Sequence, residues 1–281
     1  RAFSGEQIIE TVSNCENDPD TWKWNIHCVK IHDSSGNLLK GIYFGQSDIR
    51  EPVKLSRDGR YLAVVRQYGD STSNLYLEIH DPVTSDIVDN AVIGRGLTEV
   101  SFDWLPDNRI VYAFEQSIHI TQSLSAIGKS IIQFDQTDGT PIDLTASPSG
   151  DRVAFMLTPF GNFVAHSGYV WTMDISGNNL KRLAVVPGDS DPKINYPTWS
   201  PDGKWILVIE GDVSGSSIIS PGAPGDLYAV PSEGVDVPLV LDGSPTTAIP
   251  IYSRFDQVLE TGNDLDTSFL KSGALFWVSK N

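Results

Sequence analysis

One short turn recurs four times in this chain, each time between two apolar runs. The copies are Leu55-Ser56-Arg57-Asp58-Gly59, Trp104-Leu105-Pro106-Asp107-Asn108, Ala146-Ser147-Pro148-Ser149-Gly150 and Trp199-Ser200-Pro201-Asp202-Gly203. Asp58, Asp107, Ser149 and Asp202 follow one another at intervals of 49, 42 and 53 residues. A strand-built repeat of that length predicts the blades of a β-propeller. In Ser200-Pro201-Asp202-Gly203 the serine can accept a local backbone bond and the proline presets φ at about −65°. Asp tolerates the third place and Gly takes the left-handed fourth. Asn108 suits that fourth place better than any other side-chain-bearing residue. The turn carboxylates therefore read as corner residues rather than as catalytic acids.

The strands between the turns give an all-β chain of four-stranded antiparallel blades. Trp24 to Ile31 alternates, Asp33-Ser34-Ser35-Gly36-Asn37 turns it, and Leu38 to Phe44 returns as a hairpin. Later strands include 61–65, 75–79, 110–114, 131–134, 153–157, 169–173, 205–209 and 227–230. Many are continuous apolar runs, as expected of sheets covered on both faces. The expected organisation is a single propeller domain over 1–281, with blades near 22–44, 50–92, 97–139, 140–186, 194–242 and 243–281. Residues 1–20 pack on the ring, with Gln7 to Val12 as a short helix or an outer strand. Six blades fit the spacing best. Seven would need a period nearer 40, and five would follow if the chain ends share one composite blade.

Charge narrows the partners. The formal net charge of −16, from 36 acidic and 20 basic residues, argues against nucleic acid and anionic membrane surfaces, which demand Lys and Arg. No segment approaches about 18 consecutive apolar residues, so no membrane-inserted helix is expected. The chain begins at Arg1 rather than Met, which predicts a removed leader or upstream portion. Cys15 and Cys28 are the two cysteines. A disulfide between them would close a short loop, stabilise the N-terminal segment by roughly 3 kcal/mol and imply a periplasmic or extracellular location. The alternative is two unpaired thiols.

The runs Trp-Ser-Pro-Asp-Gly-Lys-Trp-Ile-Leu-Val at 199–208 and Leu-Ser-Arg-Asp-Gly-Arg-Tyr-Leu-Ala-Val at 55–64 resemble the repeat of TolB-type, WD-repeat-like propellers. The hairpin Asp174-Ile175-Ser176-Gly177-Asn178 extends the resemblance, which covers roughly residues 50–242. It implies the fold and leaves function open. Similar repeats occur in a periplasmic envelope protein, in the propeller domains of prolyl-oligopeptidase-like enzymes and in oligogalacturonate lyases, with no shared catalytic set. This chain departs from the repeat at Arg57 (usually Pro), Ser149 (usually Asp) and Asn108 (usually Gly).

Catalytic patterns are not visible. There is no Gly-x-Ser-x-Gly elbow and no phosphate-cradling glycine loop. His27, His32, His80, His119 and His166 are scattered without zinc-site spacing. Asn263-Asp264-Leu265-Asp266 and Asp189-Ser190-Asp191 echo calcium loops only faintly. Neither a cofactor nor a metal is expected.

Loop length carries the functional expectation. The Asp-Gly turns and the Ser35-Gly36, Asp138-Gly139 and Gly177-Asn178 hairpins are short and are placed at one end of the sheets. The longer connections Gln67–Asn74, Thr158–Gly168, Pro187–Tyr196 and Gly211–Asp226 are placed at the other, where function usually sits on a rigid scaffold. Tyr68, Phe160, Phe163, His166, Tyr196, Ile218 and Ile219 supply bulky groups there, and Arg50 and Arg95 supply cations. The expected activity is a non-enzymatic, extracytoplasmic interaction module that binds a protein partner through this loop face. The alternatives are a carbohydrate-active or lyase-type enzyme, and a propeller subunit of a larger assembly or multidomain protein.

Overall fold

In the computed structural model the recurring corner is closed by its own side chains. Ser56 Oγ donates to Asp58 Oδ1 at 2.7 Å and accepts from Tyr61 N at 3.0 Å, while Arg60 N donates to Asp58 Oδ1 at 3.1 Å. The corner at 199–203 repeats this bond for bond: Ser200 Oγ to Asp202 Oδ1 at 2.7 Å, Trp205 N to Ser200 Oγ at 3.0 Å, Lys204 N to Asp202 Oδ1 at 3.1 Å. Gly59, Asn108, Gly150 and Gly203 all sit at positive φ, between 62° and 76°. At Ser149 the missing carboxylate is supplied two residues later, since Asp151 Oδ1 accepts from both Ser147 Oγ (2.9 Å) and Ser149 Oγ.

The structure describes residues 7–12, 28–33, 35–44, 48–69, 72–96, 100–158, 168–185, 194–211, 225–233, 239–240 and 249–252. These carry strands and no helix. The first sheet is β1 (Gln7–Val12), β2 (Cys28–Asp33) and β3 (Leu38–Tyr43), in that order, so 7–12 is a strand. The second is β4 (Asp48–Leu55), β5 (Leu62–Gln67), β6 (Asn74–His80) and β7 (Ile87–Arg95). The third is β8 (Val100–Trp104), β9 (Ile110–Phe114), β10 (Ser117–Thr121) and β11 (Gly128–Gln133). The fourth is β12 (Thr140–Ala146), β13 (Arg152–Thr158), β14 (Tyr169–Asp174) and β15 (Lys181–Arg182). The next strand is β16 (Ala184–Val185). The fifth sheet joins β17 (Ile194–Trp199), β18 (Trp205–Gly211) and β19 (Gly225–Pro231) to a later edge strand. Between them in sequence, β20 (Leu239–Val240) pairs in parallel with β16, and the edge strand is β21 (Ile249–Tyr252).

The strand β10 corrects one placement. It lies between the two third-repeat runs read from the sequence and adds a pass to the meander. The Asp138-Gly139 hairpin therefore falls at the long-loop end: a Cβ on Gly139 would lie 2.2 Å from Thr158 O, the last residue of β13. The sequence reading missed β10 because Ser117-Ile118-His119-Ile120-Thr121 is short and half polar.

The chain divides into two compact units, Arg1–Glu115 with His119–Ser130, and Gln116–Ile118 with Ile131–Asn281. In the first, Val29, Ile31, Ile42 and Phe44 pack with Leu62 and Val64. The opposite face of β5 and β6 sends Ala63, Val65, Leu75, Leu77 and Ile79 against Val100, Phe102, Trp104, Ile110 and Tyr112. In the second, Ala154 and Val170 pack with Ile194, Trp199, Ile206, Val208, Tyr228 and Val230. Each such fully buried aliphatic or aromatic side chain contributes about 1.5–3 kcal/mol. Tryptophans that precede the turns fasten neighbouring sheets within each unit: Trp104 Nε1 donates to Lys54 O at 2.9 Å and Trp199 Nε1 to Thr145 O at 3.2 Å.

Candidate functional site

The loop end of the second sheet holds the most developed arrangement of polar side chains among the described residues. Strand β6 alternates strictly. Leu75, Leu77 and Ile79 enter the core, which leaves Tyr76, Glu78 and His80 on the other face with Arg66 of β5. That face is covered: Glu78 is 1% exposed, His80 3% and Arg66 7%. A buried carboxylate persists only when paired and fully hydrogen-bonded, and Glu78 is. Arg66 Nη1 lies 3.1 Å from Oε2, His80 Nε2 donates to the same oxygen at 2.9 Å, and the Tyr68 hydroxyl donates to Oε1 at 2.6 Å. Arg66 Nη2 also donates to Phe44 O. Burial pushes the Glu78 carboxyl up, but the bonds from His80, Tyr68 and Arg66 outweigh it and leave it below the usual carboxylate range.

Tyr68 is the part of this cluster that reaches solvent, with 43% of its surface exposed. Its ring lies over the Arg66 guanidinium (4.5 Å to the ring centroid) and meets Tyr76 edge-on at 5.4 Å. Burial of the hydroxyl and its bond to Glu78 push the phenol up to about 12, so it stays a protonated donor near neutrality. The connection that follows is tied down at its base. Gln67 Nε2 donates to Ser73 O (3.2 Å) and Gly96 O (3.0 Å), and Arg95 Nε donates to Thr72 O at 3.0 Å.

Of the residues singled out from sequence, Tyr68 and Arg95 thus meet at this sheet end. Arg50 lies on β4 opposite Val65, but its side chain is outside the described residues. Tyr196 belongs to the second unit, in a β-bulge of β17 between Asn195 and Thr198, with φ of 53°. Asp143 holds the equivalent bulge in β12, also at positive φ (51°), and both stand four residues before the turn serine. Side-chain-bearing residues at positive φ cost about 1–3 kcal/mol, and Asp143 was not noticed in the sequence. Phe160, Phe163, His166, Ile218, Ile219 and Cys15 lie outside the described residues, as do 189–191 and 263–266. Cys28 is buried and disulfide-bonded.

His32 Nδ1 lies by Gly36 O at 3.2 Å, and His119 is stacked on Tyr112 at 4.9 Å, with burial pushing its imidazole down. Among the described residues no group of three or more His, Cys, Asp or Glu side chains could hold a metal ion. Nor is any helix of the described residues long and apolar enough to cross a membrane. Sequence reasoning missed Arg66, Tyr76, Glu78 and His80. The signal was the alternation Tyr-x-Glu-x-His on β6, which reads equally well as a solvent-facing side.

No family model matches the chain, and no curated protein matches it. Solved structures do. A protein assigned as TolB from Agrobacterium tumefaciens is 15% identical, with a TM-score of 0.54 over 81% of this chain and 76% of that one. Hydrazine synthase from Kuenenia stuttgartiensis is 15% identical, with a TM-score of 0.51 over 75% of this chain and 60% of that one. A prolyl endopeptidase is 12% identical, with a TM-score of 0.54 over 88% of this chain and only 33% of that one. At these identities the likeness is one of fold, that of an all-β propeller.

Proposed function

We propose that the chain is a non-enzymatic interaction module outside the cytoplasm, which binds a protein partner through the loop-bearing end of its sheets with Tyr68 as an anchor. The observation that carries this reading is the immobilisation of an exposed aromatic. Tyr68 keeps 43% of its surface in solvent while Glu78, Arg66 and Tyr76 fix its hydroxyl and ring. Aromatic anchors dominate interface energetics, and one already held in place loses little further freedom on binding. The net charge of −16 favours a partner with a basic contact surface, and the disulfide at Cys28 supports an oxidising compartment. Fold likeness alone leaves function open, so the reading rests on the site.

The test is isolation of the tagged chain from its native host after brief crosslinking, with mass spectrometry of stoichiometric companions. A partner whose crosslinks map to 67–74 and whose affinity falls at least about tenfold in Tyr68→Ala, with Tyr68→Phe close to wild type, supports the reading. A partner that binds Tyr68→Ala and a Phe160→Ala/Phe163→Ala variant as tightly as wild type refutes the surface. Turnover of a glycan by the purified chain refutes the non-enzymatic assignment.

A further inference from the structure

We propose that β7 is the contact edge of a two-fold dimer, pairing antiparallel with β7 of a second copy of this chain about Asn90. The strand ends the order of the second sheet, and among the described strands it pairs only with β6. At nine residues it is the longest described strand. An edge of this kind is usually blunted by proline or lysine; Ile87-Val88-Asp89-Asn90-Ala91-Val92-Ile93-Gly94-Arg95 contains neither. Instead it leaves Ile87, Val88 and Val92 exposed at 48%, 46% and 55%.

The choice of a second copy over a foreign strand comes from the order of the residues. A two-fold interface must be complementary to itself, and β7 is nearly palindromic about Asn90. Reversed against itself it places Val88 opposite Val92 and Asn90 opposite Asn90. Opposed apolar pairs are the stabilising unit of an antiparallel edge. Two facing amides can each donate and accept, which fixes the register. Asp89 does not intrude, because its Oδ2 accepts from Ala126 N at 2.8 Å.

Two features limit the strength of the contact. Strand β6 leaves Val88 and Ile93 unmatched, so two bulges bracket a regular run of β7 from Asp89 to Val92. The new ladder is therefore short, and the interface belongs with weak associations. Both copies carry −16, but at physiological salt repulsion between distant charges fades over about 8 Å.

Sedimentation equilibrium on the full chain at loadings on the order of 10–500 µM, the range suited to a small interface, reads the association directly. The expected mass rises from 30.7 kDa toward twice that value. Val88→Lys, at an exposed position, should weaken dimerisation by about tenfold or more. Asn90→Lys, which sets two like charges directly opposite each other, should weaken it as well. The register has its own test, independent of these variants. Opposed Cα atoms in an antiparallel pair lie about 4.5–5.5 Å apart, within disulfide reach. Under mild oxidation Asn90→Cys should form a covalent dimer, whereas Val88→Cys should not. A protein that stays at 30.7 kDa throughout overturns the proposal. So does a dimer unaffected by Val88→Lys, or one in which Val88→Cys crosslinks more readily than Asn90→Cys.

Discussion

The Tyr68 hydroxyl reaches Glu78 Oε1 at 2.6 Å, across the boundary between solvent and a face on which the carboxylate is 1% exposed. The buried ion pair beneath is what the exposed ring stands on, so stability and surface geometry are coupled there. Glu78→Ala should cost about 3–5 kcal/mol, because it strands the Arg66 charge. Replacing both, as Arg66→Met/Glu78→Leu, should cost far less than the single change. Urea unfolding of the three proteins checks this. A double variant no more stable than Glu78→Ala would mean that packing, not charge pairing, sets the cost.

The turn glycines give a cleaner measurement. A Cβ on Gly203 would meet nothing nearer than Pro148 Cδ at 3.7 Å, so its replacement is limited by φ of +71° and not by space. Gly203→Ala should therefore destabilise by about 1–2 kcal/mol. At Asn108, φ of 62° makes Asn108→Gly a relief of backbone strain. It gives up the bond from Asn108 Nδ2 to Asp58 Oδ2 at 3.1 Å, so its net effect should stay within about 1 kcal/mol. Thermal unfolding separates the two substitutions.

The turn acids set an acid limit on stability. Bonds from Ser200 and Lys204 hold the Asp202 carboxyl below the usual range, bonds from Ser149 and Ser147 do so for Asp151, and bonds from Asn37 do so for Asp33. A depressed native value stabilises the fold above the unfolded value, at about pH 4. That stabilisation disappears as pH falls toward the lowered native values. Chemical denaturation between pH 6 and pH 2 should show stability falling below about pH 4, with a shallower fall in Asp151→Asn and Asp202→Asn.

Trp199→Phe removes an indole donor and leaves Thr145 O without that bond. Loss of one such part-buried hydrogen bond costs about 0.5–1.5 kcal/mol. The loss should appear in equilibrium unfolding, with Trp104→Phe behaving alike through Lys54 O.

The corners were legible in the sequence because each is written in four adjacent residues whose backbone needs are local. Even the departure at Ser149 left the fold intact, since Asp151 assumes the missing acceptor role. Glu78, Arg66 and His80 were not legible. Whether the polar side of β6 faces water or another sheet depends on Phe44, more than thirty positions away. Nor did the sequence flag Asp143, because a bulge is a property of paired strands and not of the residue that occupies it.

The two indole bonds also bear on how the chain can be made. Trp104 reaches back 50 residues to Lys54 and Trp199 reaches back 54 to Thr145, in each case to the sheet completed just before. A ribosome that has extruded one such sheet has already delivered the acceptor for the next, so successive sheets within a unit can dock in the order of their synthesis.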